Sequence, residues 1–174
     1  MRERSNINRK LMAKFDFARI YEDSKAGVWR LVSKYVFSRE DREDLFQEIF
    51  LKVHRALPRF RGESSLDTWI YKITVNTALN FLNRQNRFRW AKQMLSGLRA
   101  IEAEPPEIAT DLEELKPLNK LNPQQRMVLL LAEVEEKKLE EIAEIMKIPI
   151  GTVKSTLFRA REIIKKEVRE NGGL

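Results

Sequence analysis

The stretch LEEIAEIMKIPIGTVKSTLFRAR, Leu139–Arg161, leaves a chain few ways to fold. Ile142, Met146, Ile148, Val153 and Leu157 keep helical spacing on both sides of a short break, which Pro149 and Gly151 punctuate. Two helices joined so tightly cross steeply and need a small residue where they approach, and Ala143 supplies it. These are the requirements of a helix-turn-helix, whose second helix enters the major groove of DNA by its N-terminal end. Its outward residues are Thr152, Lys154, Ser155, Phe158, Arg159 and Arg161. Lys and Arg reach guanine edges or phosphates, and Thr and Ser contact either. Phe158 is open to two readings, contact with a thymine methyl or packing. Lys147 stands at the turn where Gly or Asn more easily takes a positive φ. Lys138 stands where Ser or Thr would cap better.

The remaining sequence also reads as helices, which makes the fold class all-α. The first pattern runs from about Phe15 to Phe37, with Phe17, Ile20, Tyr21, Val28, Leu31, Val32 and Tyr35 on one side. Gly27 interrupts it and is expected to mark a close packing contact. Ser38 and Asp41 resemble a capping box at the start of a second helix, which continues to about Leu57 and stops at Pro58. Its buried stripe is Leu45, Ile49, Phe50, Val53 and Leu57. After the loop PRFRGESS, Ser64 and Asp67 signal another cap, and a third helix is expected from about Leu66 to Phe88. Trp69, Ile70, Ile73, Ala78 and Leu82 form its apolar side, and Lys72, Asn76, Asn80, Asn83, Arg84 and Arg87 its polar face. In the C-terminal part, Asn122 caps a helix with Pro123 at its first position, and Gly172 and Gly173 follow the last helix.

Charge divides the chain in the same places. Residues 1–95 hold 20 Lys/Arg against 11 Asp/Glu, net +9; residues 96–118 hold 2 against 6, net −4; residues 119–174 hold 11 against 9, net +2. With Pro105, Pro106 and Pro117 in the acidic segment, the pattern is two small helical domains joined by an acidic flexible linker, at 1–90, 91–117 and 118–174. Residues 1–14 read as a polar, partly disordered start. The absence of Cys excludes disulfides and thiolate metal sites, and the single His54 builds no zinc site alone, so neither cofactor nor metal is expected. No apolar run follows the initial charges and none is long enough to span a bilayer, so membrane insertion is not expected and the location is expected to be cytoplasmic. No phosphate-cradling glycine loop and no nucleophile with a nearby base appears, so no enzymatic activity is expected.

Two stretches resemble one family. LNPQQRMVLLLAEVEEKKLEEIAEIMKIPIGTVKSTLFRARE resembles domain 4 of the extracytoplasmic-function sigma factors, and DREDLFQEIFLKVHRALPRFRGESSLDTWIYKITVNTALNFLNR resembles domain 2. The resemblance implies an alternative sigma factor: a three- to four-helix bundle for domain 2 and a helix-turn-helix for domain 4. It implies partners in bacterial core RNA polymerase (the β′ clamp helices and the β flap), promoter DNA and an anti-sigma factor.

Carried onto this sequence, it puts polymerase binding on Asp41, Asp44, Gln47, Glu48 and Lys52, with Leu45 and Phe46 partly packing. Reading of the −10 element falls to Phe60, Arg61, Gly62, Glu63, Ser64 and Ser65, a loop that would hold a flipped base, and to Lys72, Asn76, Asn80, Arg84 and Arg87. Trp69 matches a family tryptophan and is read as core more than as a stacking platform. The −35 element falls to Thr152, Lys154, Ser155, Thr156, Phe158, Arg159 and Arg161, with Thr156 standing where many relatives carry Arg. The acidic linker is either a strand mimic in a nucleic-acid channel or a solvated spacer. A competing function is a stand-alone helix-turn-helix regulator, in which residues 15–88 would serve dimerisation or sensing.

Overall fold

The computed structural model describes residues 16–36, 38–95 and 113–171, with side chains at 16–36, 38–88 and 117–170. The polar start, Phe37, most of the acidic linker, and Gly172 and Gly173 lie outside the described residues. Six α-helices carry the fold: α1 (Phe17–Tyr35), α2 (Arg39–Ala56), α3 (Leu66–Leu95), α4 (Pro123–Glu133), α5 (Leu139–Met146) and α6 (Ile150–Asn171). Short 3-10 turns at Leu57–Arg59 and Glu113–Lys120 precede α3 and α4.

Caps set where these helices begin. The Asp16 carboxylate accepts from the Ala18 amide at 3.0 Å to open α1, and the Ser38 hydroxyl accepts from the Asp41 amide at 3.4 Å to open α2. At α4 the bonds are reciprocal: the Gln125 amide donates to Asn122 Oδ1 at 2.9 Å, and the Asn122 amide donates to Gln125 Oε1 at 3.0 Å. The start of α3 differs from the sequence expectation. Its cap is Ser65, which accepts from the Thr68 amide at 3.1 Å, whereas Ser64 donates to the Ser65 carbonyl. The far end differs too: α3 runs to Leu95, past the expected Phe88, because residues 89–95 (RWAKQML) contain good helix formers and no breaker.

α1, α2 and α3 pack around Val32, Tyr35, Leu45, Ile49, Val53 and Val75, all without solvent exposure. α4, α5 and α6 close around Met127, Val128, Leu131, Ile142 and Val153, likewise fully buried. Both sets belong to one apolar cluster, because α3 also packs on α4 and α5. Gly27 departs from expectation. It is exposed, and a Cβ built there meets nothing within 4 Å, so it marks no close contact.

Candidate nucleic-acid interface

α5 and α6 form the helix-turn-helix. Lys147 takes the left-handed conformation at φ 55°, and the Ile148 amide donates to the Ala143 carbonyl at 3.1 Å, closing the end of α5. The Pro149 carbonyl accepts from the amides of Thr152 at 2.9 Å and Val153 at 3.1 Å, opening α6. At α5 the weak cap expected of Lys138 is offset by Glu141, whose carboxylate accepts from the Lys138 amide at 2.9 Å.

The inner face of α6 buries Val153, Leu157 and Ala160. Lys154, Ser155, Phe158, Arg159 and Arg161 are exposed, while Thr152 and Thr156 are half-buried. Phe158 is 66% exposed, so of its two readings packing within the fold is excluded. Arg161 is committed elsewhere, donating from Nε at 2.9 Å and from its terminal nitrogen at 2.6 Å to Glu133 of α4.

On α2, Asp44, Glu48 and Lys52 follow at intervals of four and Asp41 precedes by three, so they form one stripe. Asp44 and Gln47 are exposed, Asp41, Glu48 and Lys52 half-buried. Beneath them lie Leu45, fully buried, and Phe46, whose ring meets Phe50 edge-on at 4.9 Å and Trp29 at 5.5 Å. Glu48 joins two elements: its carboxylate accepts from Lys52 at 2.9 Å and from Arg84 of α3 at 3.0 Å. Partial burial works against its charge, but these two hydrogen bonds outweigh it and hold the carboxyl below its usual range.

The loop before α3 is pinned at both ends. Phe60 packs on Trp69 with ring centroids 5.0 Å apart, which makes Trp69, half-buried against the core, a packing residue as read from the sequence. Gly62 sits at φ 74°, where a side chain is strained, and Arg61 pairs loosely with Glu63 at 3.8 Å. The Ser65 hydroxyl is spent on the helix cap and on Thr68. Along α3, Asn80, Arg84 and Arg87 are exposed.

Lys72 and Asn76 are engaged by the helix-turn-helix. Lys72 pairs with Glu144 at 2.6 Å. The Asn76 amide nitrogen donates at 2.8 Å to the Lys72 carbonyl and at 2.8 Å to the Ile145 carbonyl, using both its hydrogens. Residues that carried no signal in the sequence complete the seam. Lys34 of α1 pairs with Glu135, and Lys137 lies 5.3 Å from the Tyr71 ring centroid. Burial pushes the Tyr71 phenol up to about 12 and also raises that of Tyr35, with Glu135 adding to both. Sequence reasoning missed this set because its members are 60 or more residues apart across the seam.

A helical bundle with a polar and cationic helix face, joined to a helix-turn-helix, defines a two-domain DNA-binding protein. Residues 20–88 match the family Sigma-70 region 2, and residues 115–164 match Sigma-70, region 4. The chain is 40% identical over 159 residues to the ECF RNA polymerase sigma-E factor of Escherichia coli strain K12, covering 82% of this chain and 81% of that one. It is 36% identical over 162 residues to the protein of the same name from Haemophilus influenzae, covering 86% and 84%. Two solved structures share the fold. One is the sigma factor RpoE in complex with the anti-sigma factor NepR from Bartonella quintana, with TM-score 0.60, 24% identity and coverage of 87% of this chain and 95% of that one. The other is CnrH in complex with the cytosolic domain of CnrY, with TM-score 0.59, 17% identity and coverage of 93% and 94%. The chain belongs to the ECF family of RNA polymerase sigma factors and functions as an alternative sigma factor in transcription initiation. Its family membership sets aside the stand-alone regulator. Among the described residues no helix is long and apolar enough to cross a membrane.

Proposed function

We propose that three surfaces divide the work of this sigma factor. Asp41, Asp44, Gln47, Glu48 and Lys52 of α2 bind the β′ clamp helices, with the three carboxylates meeting basic groups there. The Phe60–Ser65 loop with Lys72, Asn76, Asn80, Arg84 and Arg87 of α3 reads the −10 element as it opens. Thr152, Lys154, Ser155, Thr156, Phe158, Arg159 and Arg161 of α6 read the −35 element while domain 4 sits on the β flap. The corresponding boundaries are 1–90 for domain 2, 91–117 for the linker and 118–174 for domain 4, with the end of α3 (to Leu95) and the 3-10 turn from Glu113 running across them.

The observation that carries this reading is the separation of charge on neighbouring helices. α2 presents Asp44 and Glu48 one turn apart, and α3 presents Asn80, Arg84 and Arg87 to solvent. Within the −10 set, DNA competes with Glu144 and the Ile145 carbonyl for Lys72 and Asn76. Within the −35 set, DNA competes with Glu133 for Arg161. The first competition favours binding by an opened protein on polymerase over binding by the free chain, because Glu144 and Ile145 lie across the seam from Lys72 and Asn76. An anti-sigma factor is the protein partner we assign, on the strength of the similar sigma-factor structure that holds one. We place the activity in the cytoplasm, where promoter DNA and polymerase are found, and assign it no enzymatic step.

Reconstituted transcription with core polymerase tests the assignment. Asp44→Ala or Gln47→Ala is expected to weaken core binding roughly fivefold or more, the scale of losing about 1 kcal/mol at an interface. Asn80→Ala is expected to leave core binding intact and to slow promoter opening. Equal losses in both assays for all three variants would remove the division of labour, and failure of the unaltered protein to bind core would remove the reading entirely.

A further inference from the structure

We propose that Glu48 holds Arg84 out of DNA binding until a cation of the polymerase takes its place, coupling the two events through one carboxylate. The inference rests on the reading above, in which α2 meets polymerase and α3 meets DNA.

The geometry is specific. One Glu48 oxygen accepts from Lys52 at 2.9 Å and the other from Arg84 at 3.0 Å, so both are engaged. Lys52 is steadied in turn by the Thr77 hydroxyl of α3 at 3.5 Å. Arg84 also lies with its guanidinium carbon 5.3 Å from the Phe81 ring centroid, a shelf that stays in place whatever Glu48 does. The Arg84 side chain is 57% exposed and open to solvent, whereas Glu48 is 28% exposed. A phosphate approaching Arg84 therefore meets a cation already compensated by a neighbouring anion, which weakens the attraction.

Asp41 and Asp44 extend the same stripe toward the N-terminus of α2. A basic polymerase element drawn to them is carried along the stripe to Glu48. Once its cation shares that carboxylate, Arg84 keeps its shelf and regains its uncompensated charge. Linkage makes the effect mutual: DNA that captures Arg84 leaves Glu48 more available to polymerase. The pair is partly exposed, so the coupling is small, about two- to fivefold in affinity.

The test uses the full chain and an oligodeoxythymidine probe, with affinity measured by fluorescence anisotropy across a salt series. Free Glu48→Gln protein is expected to bind the probe about two- to fivefold more tightly than the unaltered protein. Its log–log salt dependence should steepen by about 0.7, the signature of one added phosphate contact to a single strand. The gain should vanish in the double variant Glu48→Gln/Arg84→Ala. A gain that survives in the double variant comes from Lys52 or from net charge and overturns the coupling, as does the absence of any gain in Glu48→Gln. Holoenzyme carrying Arg84→Ala separates this from the parent reading: a salt slope on the same probe shallower by about 0.7 keeps Arg84 a phosphate contact. An unchanged slope removes Arg84 from the DNA face and the coupling with it.

Discussion

The Asn76 amide of α3 donates to the carbonyl of Ile145 in the last turn of α5, across 69 residues of sequence and the seam between the domains. That carbonyl is among those a helix leaves unsatisfied at its C-terminus, and it carries the negative end of the helix dipole. Asn76 thus closes the helix-turn-helix onto the bundle. Asn76→Ala removes a hydrogen bond worth about 1 kcal/mol net, and the fraction of open molecules should rise about fivefold. Distance measurements between labels on α1 and α6 read this directly, and an unchanged distribution would contradict it.

Ile142 is fully buried where α5 meets the rest of domain 4. Ile142→Ala deletes methyl groups and leaves a cavity, at a cost of about 2–5 kcal/mol. Against the usual stability of a small domain this loosens or unfolds the helix-turn-helix. Denaturant melts should show the loss, and Ile142→Val should recover most of it. A melt of Ile142→Ala that matches the unaltered protein would count against the packing described.

Tyr35 and Tyr71 bring a pH dependence. Their phenols are raised in the folded protein, Tyr71 to about 12, while an unfolded tyrosine titrates near about 10. The folded state thus favours the neutral phenol, an advantage fully present below about pH 10 and lost as pH climbs from there through about 12. Glu135 and Glu141 add to the shift of Tyr71, and Lys34, Lys72 and Lys137 are cations at the seam. Stability against denaturant should fall over that window, and Tyr71→Phe should flatten the fall. An equally steep decline in the variant would assign it to other groups.

Gly27 is exposed inside α1, and a methyl there meets nothing within 4 Å. Gly27→Ala should stabilise the protein by about 0.5–1 kcal/mol, through helix propensity and a less disordered unfolded chain. A lower melting temperature in this variant would show that the position does more than continue the helix.

Helical periodicity made Leu45, Ile49, Phe50 and Val53 legible as a buried stripe, and all of them are buried. The same logic found the inner face of the helix-turn-helix and the strained turn at Lys147. It could not tell what a polar face meets. Lys72 and Asn76 look alike in sequence whether their partner is a nucleic acid or a helix residue 69 or more positions away, and here it is α5. Long-range ion pairs such as Lys34–Glu135 leave no periodic trace, since each partner sits on its own helix flank or loop. Adjacent serines also defeat one-residue precision: Ser64 and Ser65 offer the same chemistry, and the direction of the chain entering α3 selects Ser65. The extra turns to Leu95 were hidden because clear apolar periodicity is lost after Phe88, while helix propensity there favours continuation.

The length of α3 has a mechanical consequence. Its 30 residues make a rod of about 45 Å at about 1.5 Å per residue. One end begins beside the Phe60–Ser65 loop, and the other hands the chain to the acidic segment. A lever of that length magnifies motion: a tilt of about 10° at the Trp69 end sweeps Leu95 through about 7 Å. Any contact that tilts α3 at the loop therefore also moves the point from which the chain departs.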